Sequence, residues 1–173
     1  MKARPEFEAL VDAHSAEIFA YVWRMLRETA DAEDCLQETF LRAYRAYPRL
    51  NGQANYRAWL YKIATNTART HLKRRARSTA RTTDLDPELL RADSPLTNEL
   101  DRKQTLAAIA QAVEALPYQQ RTALIMRNYQ ELSYPAIATA LDCTEAAARA
   151  NVYQALKKLR KKMTEDGGRW TEE

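Results

Sequence analysis

A long basic stretch without acidic residues is the feature that most constrains this chain. Residues 39–83 contain eleven Lys or Arg and no Asp or Glu. Within the stretch, apolar and small side chains recur at helical spacing, at Leu60, Ile63, Ala64, Thr67 and Ala68. A basic segment with that period predicts a helix that packs through one face and presents the other to a polyanion such as nucleic acid.

The composition favours an all-α fold. The chain has only three Gly and six Pro in 173 residues, and no alternating strand pattern of useful length. With 46% hydrophobic and 29% charged residues it is ordinary globular material, which excludes disorder throughout. We expect two small helical domains, residues 1–77 and 105–163, the second of which is a helix-turn-helix. A flexible acidic linker, residues 78–104, joins them, and a tail, residues 164–173, follows.

The charges are segregated along the chain, so the net charge of +4 hides their pattern. Residues 84–104 carry six acids against three bases and show no sustained periodicity. Residues 105–163 carry four acids against eight bases. The pattern therefore indicates two basic modules separated by a segment that repels polyanions.

Several classes of protein are disfavoured by what the sequence lacks. It has no apolar run near eighteen residues and no leader pattern, so we expect no membrane insertion and a cytoplasmic protein. Cys35 and Cys143 are far apart and form no Cys-x-x-Cys pair, which disfavours a disulfide or a zinc site. No nucleophile and base pair or Gly-rich phosphate loop is present, so we expect neither an enzyme nor a metal or other cofactor.

The amino-terminal residues predict two helical segments. Pro5 opens an amphipathic pattern that is either one helix or two helices meeting near His14. Thr29 or Asp31 is the expected cap of the next helix, which Pro48 ends. One side of that helix is a mixed acidic and leucine stripe, which from spacing alone is typical of a solvated face: Asp34, Glu38, Leu41 and Arg45.

The second module has the punctuation of a helix-turn-helix. One helix ends before Pro117, and another is expected from Tyr118 to Asn128. Ser133 then caps a short helix with Pro135 in its first turn, and Thr144 caps the last helix, expected over 145–163. Such a module places the first residues of its last helix on DNA base edges.

Motifs in both modules resemble a known family. The first module contains Asp31-Ala-Glu-Asp-Cys-Leu-Gln-Glu-Thr-Phe-Leu-Arg42 and Trp59-Leu-x-x-Ile-Ala-x-Asn66. The second contains Leu116-Pro-x-x-x-Arg121, Leu132-Ser-Tyr-x-x-Ile-Ala138 and Ala155-Leu-Lys-Lys-Leu-Arg160. These resemble regions 2 and 4 of the extracytoplasmic-function sigma factors, the small dissociable promoter-recognition subunits of bacterial RNA polymerase.

The resemblance implies a function and a set of partners. A sigma factor binds core RNA polymerase and directs promoter-specific transcription initiation by reading minus-ten and minus-thirty-five DNA. The implied partners are core polymerase, promoter DNA and an anti-sigma factor, with no obligate homodimer. The implied polymerase contacts lie on the stripe of the second helix, at Asp34, Gln37, Glu38 and Leu41.

The resemblance also implies which residues meet DNA. In the first module, amides of the turn before the basic helix would read a flipped base, although Asn55 could instead cap that helix. Aromatic and basic side chains of the helix would stack on unpaired bases and follow the strand. The minus-ten candidates are Asn51, Gln53, Asn55, Tyr56, Arg57, Lys62, Asn66, Arg69, Lys73 and Arg74.

In the second module, the last helix would read the minus-thirty-five element. The candidates for base contacts are Arg149, Asn151 and Gln154, and those for phosphate contacts are Arg121, Lys157 and Lys158. A charged solvent face is the alternative. Pro135 stands where the family usually has Glu, and Ala147-Ala-Arg-Ala-Asn-Val152 replaces the usual Thr-Val-Lys-Ser-Arg-Leu pattern, so promoter sequence cannot be transferred.

Two other functions compete with this interpretation. A stand-alone helix-turn-helix regulator would explain the second module alone and would dimerise on a palindrome. A single-stranded nucleic-acid-binding protein would use the aromatic and basic helix without polymerase. The acidic motif over residues 31–40, as a polymerase-binding face, argues against both.

Overall fold

The computed structural model describes residues 4–52, 54–81 and 97–165, and all regular structure in those ranges is helical. This confirms the all-α prediction. Gln53, the linker residues 82–96 and the tail residues 166–173 lie outside the described residues. A short 3-10 turn covers Tyr47–Arg49, and the α-helices are α1 (Phe7–Leu26), α2 (Thr29–Ala46), α3 (Tyr56–Arg81), α4 (Thr97–Glu114), α5 (Tyr118–Asn128), α6 (Tyr134–Leu141) and α7 (Glu145–Glu165).

Helices α1, α2 and α3 pack on one another to form the first module. α1 is a single helix through His14, so the alternative of two helices is wrong. Its buried side chains follow the i, i+3, i+4, i+7 period that places them on one face, at Ile18, Tyr21, Val22 and Met25. Cys35 of α2 is also buried, and burial raises the pKa of its thiol to about 12.

The start of α2 differs from the prediction. Glu28 is the cap, because its carboxylate accepts hydrogen bonds from the backbone N–H groups of Ala30 at 3.1 Å and Asp31 at 2.7 Å. These bonds lower the pKa of Glu28. The expected caps, Thr29 and Asp31, were therefore wrong, since both already lie inside the helix. α2 ends at Ala46, before Pro48, as predicted.

The helix-turn-helix of the second module follows its local sequence signals. Ser133 Oγ accepts a hydrogen bond from the Ala136 N–H at 3.3 Å, and Thr144 Oγ1 accepts one from the Ala147 N–H at 3.1 Å. Both predicted caps are confirmed. Asp142 turns the chain between the two helices with a left-handed φ of 55°, a conformation that Asp tolerates better than most residues.

Two helices are longer than expected and enter the region predicted as linker. α3 continues to Arg81, and α4 begins at Thr97, ahead of the apolar pattern that starts at Leu106. The residues concerned include Leu, Ala, Lys, Arg, Gln and Glu, which favour a helix. The apolar period therefore marked where these helices pack and not where they end.

The two modules share one core. A continuous cluster of buried side chains includes Ile18 and Tyr61 from the first module and Ile125 and Ile137 from the second. α3 packs against α6, and α1 contacts α5. None of the described helices is long and apolar enough to cross a bilayer. The contact between modules brings groups of the second module onto the basic helix α3.

Candidate nucleic-acid interface

The four predicted polymerase contacts form one outward stripe on α2. Asp34 and Gln37 are exposed, and Leu41 is 57% exposed, which is unusual for a large apolar side chain. The opposite side of α2 is buried, at Ala32, Cys35, Thr39 and Ala43. The structure thus brings the predicted residues together on a surface that is open to a partner.

Glu38 is the member of this stripe with partners inside the chain. Its carboxylate accepts a hydrogen bond from Arg42 and lies 3.1 Å from His71 Nε2 on α3. Burial alone would raise the pKa of Glu38, but the hydrogen bonds with His71 and Arg42 lower it below its ordinary value. Glu38 therefore stays ionised near neutral pH and links α2 to α3.

The turn before α3 holds the predicted base-reading amides. Asn55 Oδ1 accepts a hydrogen bond from the Ala58 N–H at 3.0 Å, so Asn55 caps α3. Capping was the alternative to base reading that the sequence left open for this residue. Tyr56 donates its hydroxyl proton to the Gly52 carbonyl at 3.2 Å, which holds the ring over the turn. Asn51 is exposed. The turn is therefore anchored at the helix end, and Gln53 lies outside the described residues.

The predicted minus-ten stripe lies along one side of α3. At 100° per residue, Lys62, Asn66, Arg69 and Lys73 fall within about 60° of one another, and Arg74 lies about 80° beyond this group. All are exposed except Lys62, which is partly covered. A cleft of about 320 Å³ between α2 and α3 borders the stripe and is lined by residues of both helices, among them Trp59, Lys62 and Asn66. We call this stripe, together with Arg57, the minus-ten track.

Arg57, at the start of the track, is bound within the protein. Its Nε donates to Glu17 Oε2 at 2.9 Å, and its Nη2 donates to the backbone carbonyl of Gln130 in the second module at 2.8 Å. The Tyr61 hydroxyl lies 2.9 Å from Glu17 Oε2 and 3.1 Å from Gln130 Oε1. The Arg57 guanidinium therefore joins the two modules, while its side chain stays 40% exposed.

Glu17 is the acid that organises this junction. Burial would raise the pKa of its carboxyl group, but hydrogen bonds from Arg57, His14 and Tyr61 lower it below its ordinary value. The hydrogen bond between Arg57 and Glu17 also raises the pKa of Arg57. Both partners are therefore ionised near neutral pH.

Two further members of the track also contact the second module. Lys62 Nζ lies 3.5 Å from Asp142 Oδ1, in the turn of the helix-turn-helix. The Arg69 guanidinium lies 5.4 Å from the centroid of the Tyr118 ring, within cation–π range. Tyr118 also donates its hydroxyl proton to the Thr65 carbonyl at 2.5 Å. The second module therefore contacts the first half of the track, although Asn66 and Arg69 remain exposed.

Arg121, a predicted phosphate contact, is buried at the same junction. It is 7% exposed and donates a hydrogen bond to the Met25 carbonyl near the end of α1. Its Nε has no hydrogen-bond partner among the described residues. Burial lowers the pKa of Arg121. A phosphate contact by Arg121 would require the modules to separate, so that role stays a prediction.

The last helix, α7, presents a more open surface. Gln154, Lys157 and Lys158 are exposed. Arg149 is exposed as well, although it pairs with Glu145 at 2.7 Å and lies over the Tyr134 ring. Asn151 is half-buried and points about 160° away from Arg149 at 100° per residue, so these two predicted base contacts do not share a face.

The structure adds residues that sequence reasoning missed. Tyr153 is 64% exposed beside Gln154 on α7, and its signal was a large aromatic among polar positions. Glu17 and Gln130, which bind Arg57, gave no signal, because they lie 40 and 73 residues from it in the chain.

Comparison with known proteins identifies the family. The family model for Sigma-70 region 2 matches residues 10–78, and the model for Sigma-70, region 4 matches residues 106–159. The ECF RNA polymerase sigma-E factor of Haemophilus influenzae is 27% identical over 166 residues, which cover 91% of this chain and 87% of that protein. The RNA polymerase sigma-H factor of Pseudomonas aeruginosa is 32% identical over 163 residues, covering 90% and 84%. This chain belongs to the extracytoplasmic-function sigma factors.

Its function follows from that membership. The sigma factor binds core RNA polymerase and directs promoter-specific transcription initiation. Its family is one of non-catalytic initiation factors. A stand-alone helix-turn-helix regulator is not favoured, since both family regions are present in the expected order. The prediction of function from the motifs of the two modules is thereby confirmed.

Solved structures share the fold. The sigma factor RpoE in complex with the anti-sigma factor NepR from Bartonella quintana has a TM-score of 0.69 and 21% identity, and the match covers 92% of this chain and 98% of that one. CnrH in complex with the cytosolic domain of CnrY also has a TM-score of 0.69, at 20% identity, covering 93% and 89%. The helical fold is therefore the one found in other sigma factors.

Proposed function

We propose that this sigma factor divides promoter recognition between its modules. Residues 1–77 bind polymerase and read and melt minus-ten DNA, and residues 105–163 read minus-thirty-five DNA, with 78–104 as the linker and 164–173 as a tail. The observation that carries this division is a contact between α2 and α3. Glu38 belongs to the stripe of four predicted polymerase contacts on α2, called here the polymerase stripe, and it contacts His71 on α3. His71 lies about 180° around α3 from Lys62 of the minus-ten track. The polymerase stripe and the minus-ten track thus use different sides of one bundle.

The polymerase contact would combine charge with an apolar anchor. Asp34, Gln37 and Glu38 offer carboxylate and amide groups to basic residues of the partner, and Leu41 offers an exposed apolar side chain beside them. Such a surface favours a partner that is basic at its rim and apolar at its centre.

Minus-ten reading would proceed by capture of unpaired bases. Asn51, Gln53, Asn55 and Tyr56 lie at or next to the turn where a flipped base would be held, and base stacking of about 1–3 kcal/mol per base offsets the cost of unpairing. The basic side chains from Arg57 to Arg74 would follow the phosphates of the same strand. No step of this process makes or breaks a covalent bond, so the proposed function is not that of an enzyme. The protein would act in the cytoplasm, together with polymerase.

Minus-thirty-five reading would use the open face of α7. Gln154 and Arg149 are the exposed candidates for base edges, about 140° apart around the helix, with Lys157 and Lys158 on phosphate. Asn151 and Arg121 would contribute only if their surroundings rearrange on DNA, because one is half-buried and the other buried.

An anti-sigma factor is the remaining proposed partner. It is supported by the two similar structures, which were solved with such inhibitors bound. If the proposal holds, the protein isolated from its own cells copurifies with an inhibitor. Copurification without one, together with activity that simply tracks sigma concentration, would contradict it.

The decisive experiment is co-elution with purified bacterial core polymerase in size-exclusion chromatography. The test variant is Asp34→Arg with Leu41→Ala, both exposed, and the matched control is Glu33→Arg, an exposed acid on the next position of the same helix. We expect the double variant to lose at least about 2 kcal/mol of binding free energy and the control to bind like wild type. If the wild type ignores polymerase yet binds DNA tightly alone, the proposed function fails.

A further inference from the structure

The ring of Tyr134 contacts two arginines from neighbouring helices. Tyr134 is the first residue of α6, and the Cζ atom of Arg149 on α7 lies 4.2 Å from the centroid of its ring. The Cζ atom of Arg127 on α5 lies 4.5 Å from the same centroid. Both distances are within cation–π range. One aromatic side chain therefore joins α5, α6 and α7.

The ring is held in place from within the module. Tyr134 is half-buried and packs against the shared core, and Ser133 caps the helix that it begins. Arg127 Nη1 donates a hydrogen bond to the Leu132 carbonyl at 3.0 Å, just before that helix. The ring and Arg127 are thus fixed, and Arg149 is the partner with freedom to move.

Arg149 is open to a ligand on the rest of its side chain. The side chain is 58% exposed, and its Nη2 lies 2.7 Å from Glu145 Oε1 one turn earlier on α7. An exposed i, i+4 ion pair of this kind orients a side chain only weakly. The first turn of α6 has no acidic residue, so the Tyr134 ring is the group that α6 offers to the guanidinium. Contact with the ring limits the rotamer freedom of Arg149 before DNA arrives.

We propose that Tyr134 is a positioning residue for minus-thirty-five reading, whose ring holds the Arg149 guanidinium in the orientation that contacts a base edge. The inference rests on the proposed function, in which Arg149 reads a base of that element. Tyr134 then affects base preference through Arg149 and not through a DNA contact of its own. Arg127 supports the ring, since it contacts both the ring and the carbonyl that precedes α6.

Positioning of this kind should affect the choice of base more than the strength of binding. A guanidinium recognises a base edge through two parallel hydrogen bonds, which require its plane to be aligned with that edge. A guanidinium without that alignment is still attracted to phosphate, which carries no sequence information. Loss of the ring should therefore relax base preference at the positions that Arg149 reads and leave the other positions unchanged.

Two substitutions separate the ring face from the rest of the Tyr134 side chain. Tyr134→Phe keeps the π face and removes the hydroxyl group, whereas Tyr134→Leu keeps an apolar side chain and removes the π face. The matched control is Tyr129→Leu. Tyr129 follows the last residue of α5, is 52% exposed and has the Arg24 Cζ atom 4.6 Å from its ring centroid, but it is not among the predicted DNA contacts.

The probe is DNA selected by the protein itself. Wild-type holoenzyme, reconstituted with purified bacterial core polymerase, selects duplexes from a random-sequence pool, and sequencing defines the preferred site. Relative binding of each holoenzyme is then measured on duplexes with single base-pair changes across the upstream element of that site. Arg149→Ala identifies the positions that Arg149 reads.

We expect Tyr134→Leu to lower the base preference at those positions about two- to fivefold and to keep the wild-type preference elsewhere. Tyr134→Phe and Tyr129→Leu should match wild type at every position. Unchanged preference in Tyr134→Leu would overturn the proposal, as would an even loss at all positions. The same loss in Tyr134→Phe or in Tyr129→Leu would also overturn it.

The Arg149→Ala result separates this inference from the proposed function. If Arg149→Ala relaxes no position, the proposed role of Arg149 in minus-thirty-five reading fails, and the inference fails with it. If Arg149→Ala relaxes a position that Tyr134→Leu leaves intact, the inference alone fails.

A second measurement detects the contact in the free chain and does not depend on any variant. Protons that lie over an aromatic face are shifted upfield by the ring current, so nuclear magnetic resonance should find the Arg149 side-chain protons upfield of those of an ordinary arginine. The shift should persist in Tyr134→Phe and disappear in Tyr134→Leu. Ordinary Arg149 shifts in the wild type would refute the proposal even if Tyr134→Leu failed to fold.

Discussion

The two basic helices of this sigma factor, α3 and α7, both carry net positive charge but differ in accessibility. On α3, Arg57 and Lys62 have partners in the second module. On α7, Lys157 and Lys158 are exposed on the surface that would enter DNA. The comparison shows that the basic character of a helix indicates what it can bind, while tertiary packing determines how much of its surface is accessible.

The difference has a structural cause. α7 buries Ala148, Val152 and Ala155, with Leu156 and Leu159 partly buried beside them, and leaves its opposite side to solvent. The first half of α3 is buried more widely, since Leu60 and Ala64 lie in the core and so does Tyr61, whose hydroxyl faces α1 and the second module. A helix packed on that many sides has little free surface next to its amino terminus.

The same substitution on each helix should give unequal losses of stability. Tyr61→Phe removes a buried hydroxyl that contacts Glu17 and Gln130, and we expect the free energy of unfolding to fall by about 1–3 kcal/mol. Tyr153→Phe removes an exposed hydroxyl and should change it by less than about 0.5 kcal/mol. Urea unfolding followed by circular dichroism measures both. Equal losses would mean that the α3 junction is not closed in solution.

Removal of one lysine from each helix should separate their roles in DNA binding. In the free chain, Lys157→Ala should reduce the slope of log affinity against log salt by about 0.9, the value for one lost phosphate contact on duplex DNA. Lys62→Ala should leave the slope nearly unchanged, because the Lys62 ammonium group already forms an ion pair with Asp142. The measurement is anisotropy with a mixed-sequence duplex between roughly 50 and 200 mM salt, a range over which phosphate contacts change the affinity steeply. An equal fall in slope would show that the track is reachable in the free chain.

Features set by neighbouring residues could be predicted from the sequence. The caps at Ser133 and Thr144 were found because a hydroxyl oxygen needs only an N–H two or three residues ahead. The apolar face of α3 was found because Leu60, Ala64 and Ala68 repeat with the helical period. The family motifs likewise lie within single helices or turns.

Features set by distant residues could not be predicted. Arg57 and Arg121 resemble DNA contacts in sequence, but their partners lie 73 and 96 residues away, at Gln130 and Met25. No local pattern marks such a pair. The cap at Glu28 was missed for another reason, since Glu is not among the side chains that most favour that position.

The smallest expected effect concerns the acid that orients Arg57. Because the pKa of Glu17 is lowered in the folded chain, its stabilising effect is present above the unfolded value, near 4.5, and is lost as pH falls through the folded value. The groups facing it are His14 on α1 and Arg57 and Tyr61 on α3. We expect the stability difference between wild type and Glu17→Gln to shrink by about 0.5 kcal/mol or less between roughly pH 6 and pH 3, because the site is partly exposed. Urea midpoints at a series of pH values measure this difference. A constant difference would mean that Glu17 holds Arg57 by geometry alone, and the junction would then owe its closure to Asp142, Tyr118 and the shared core.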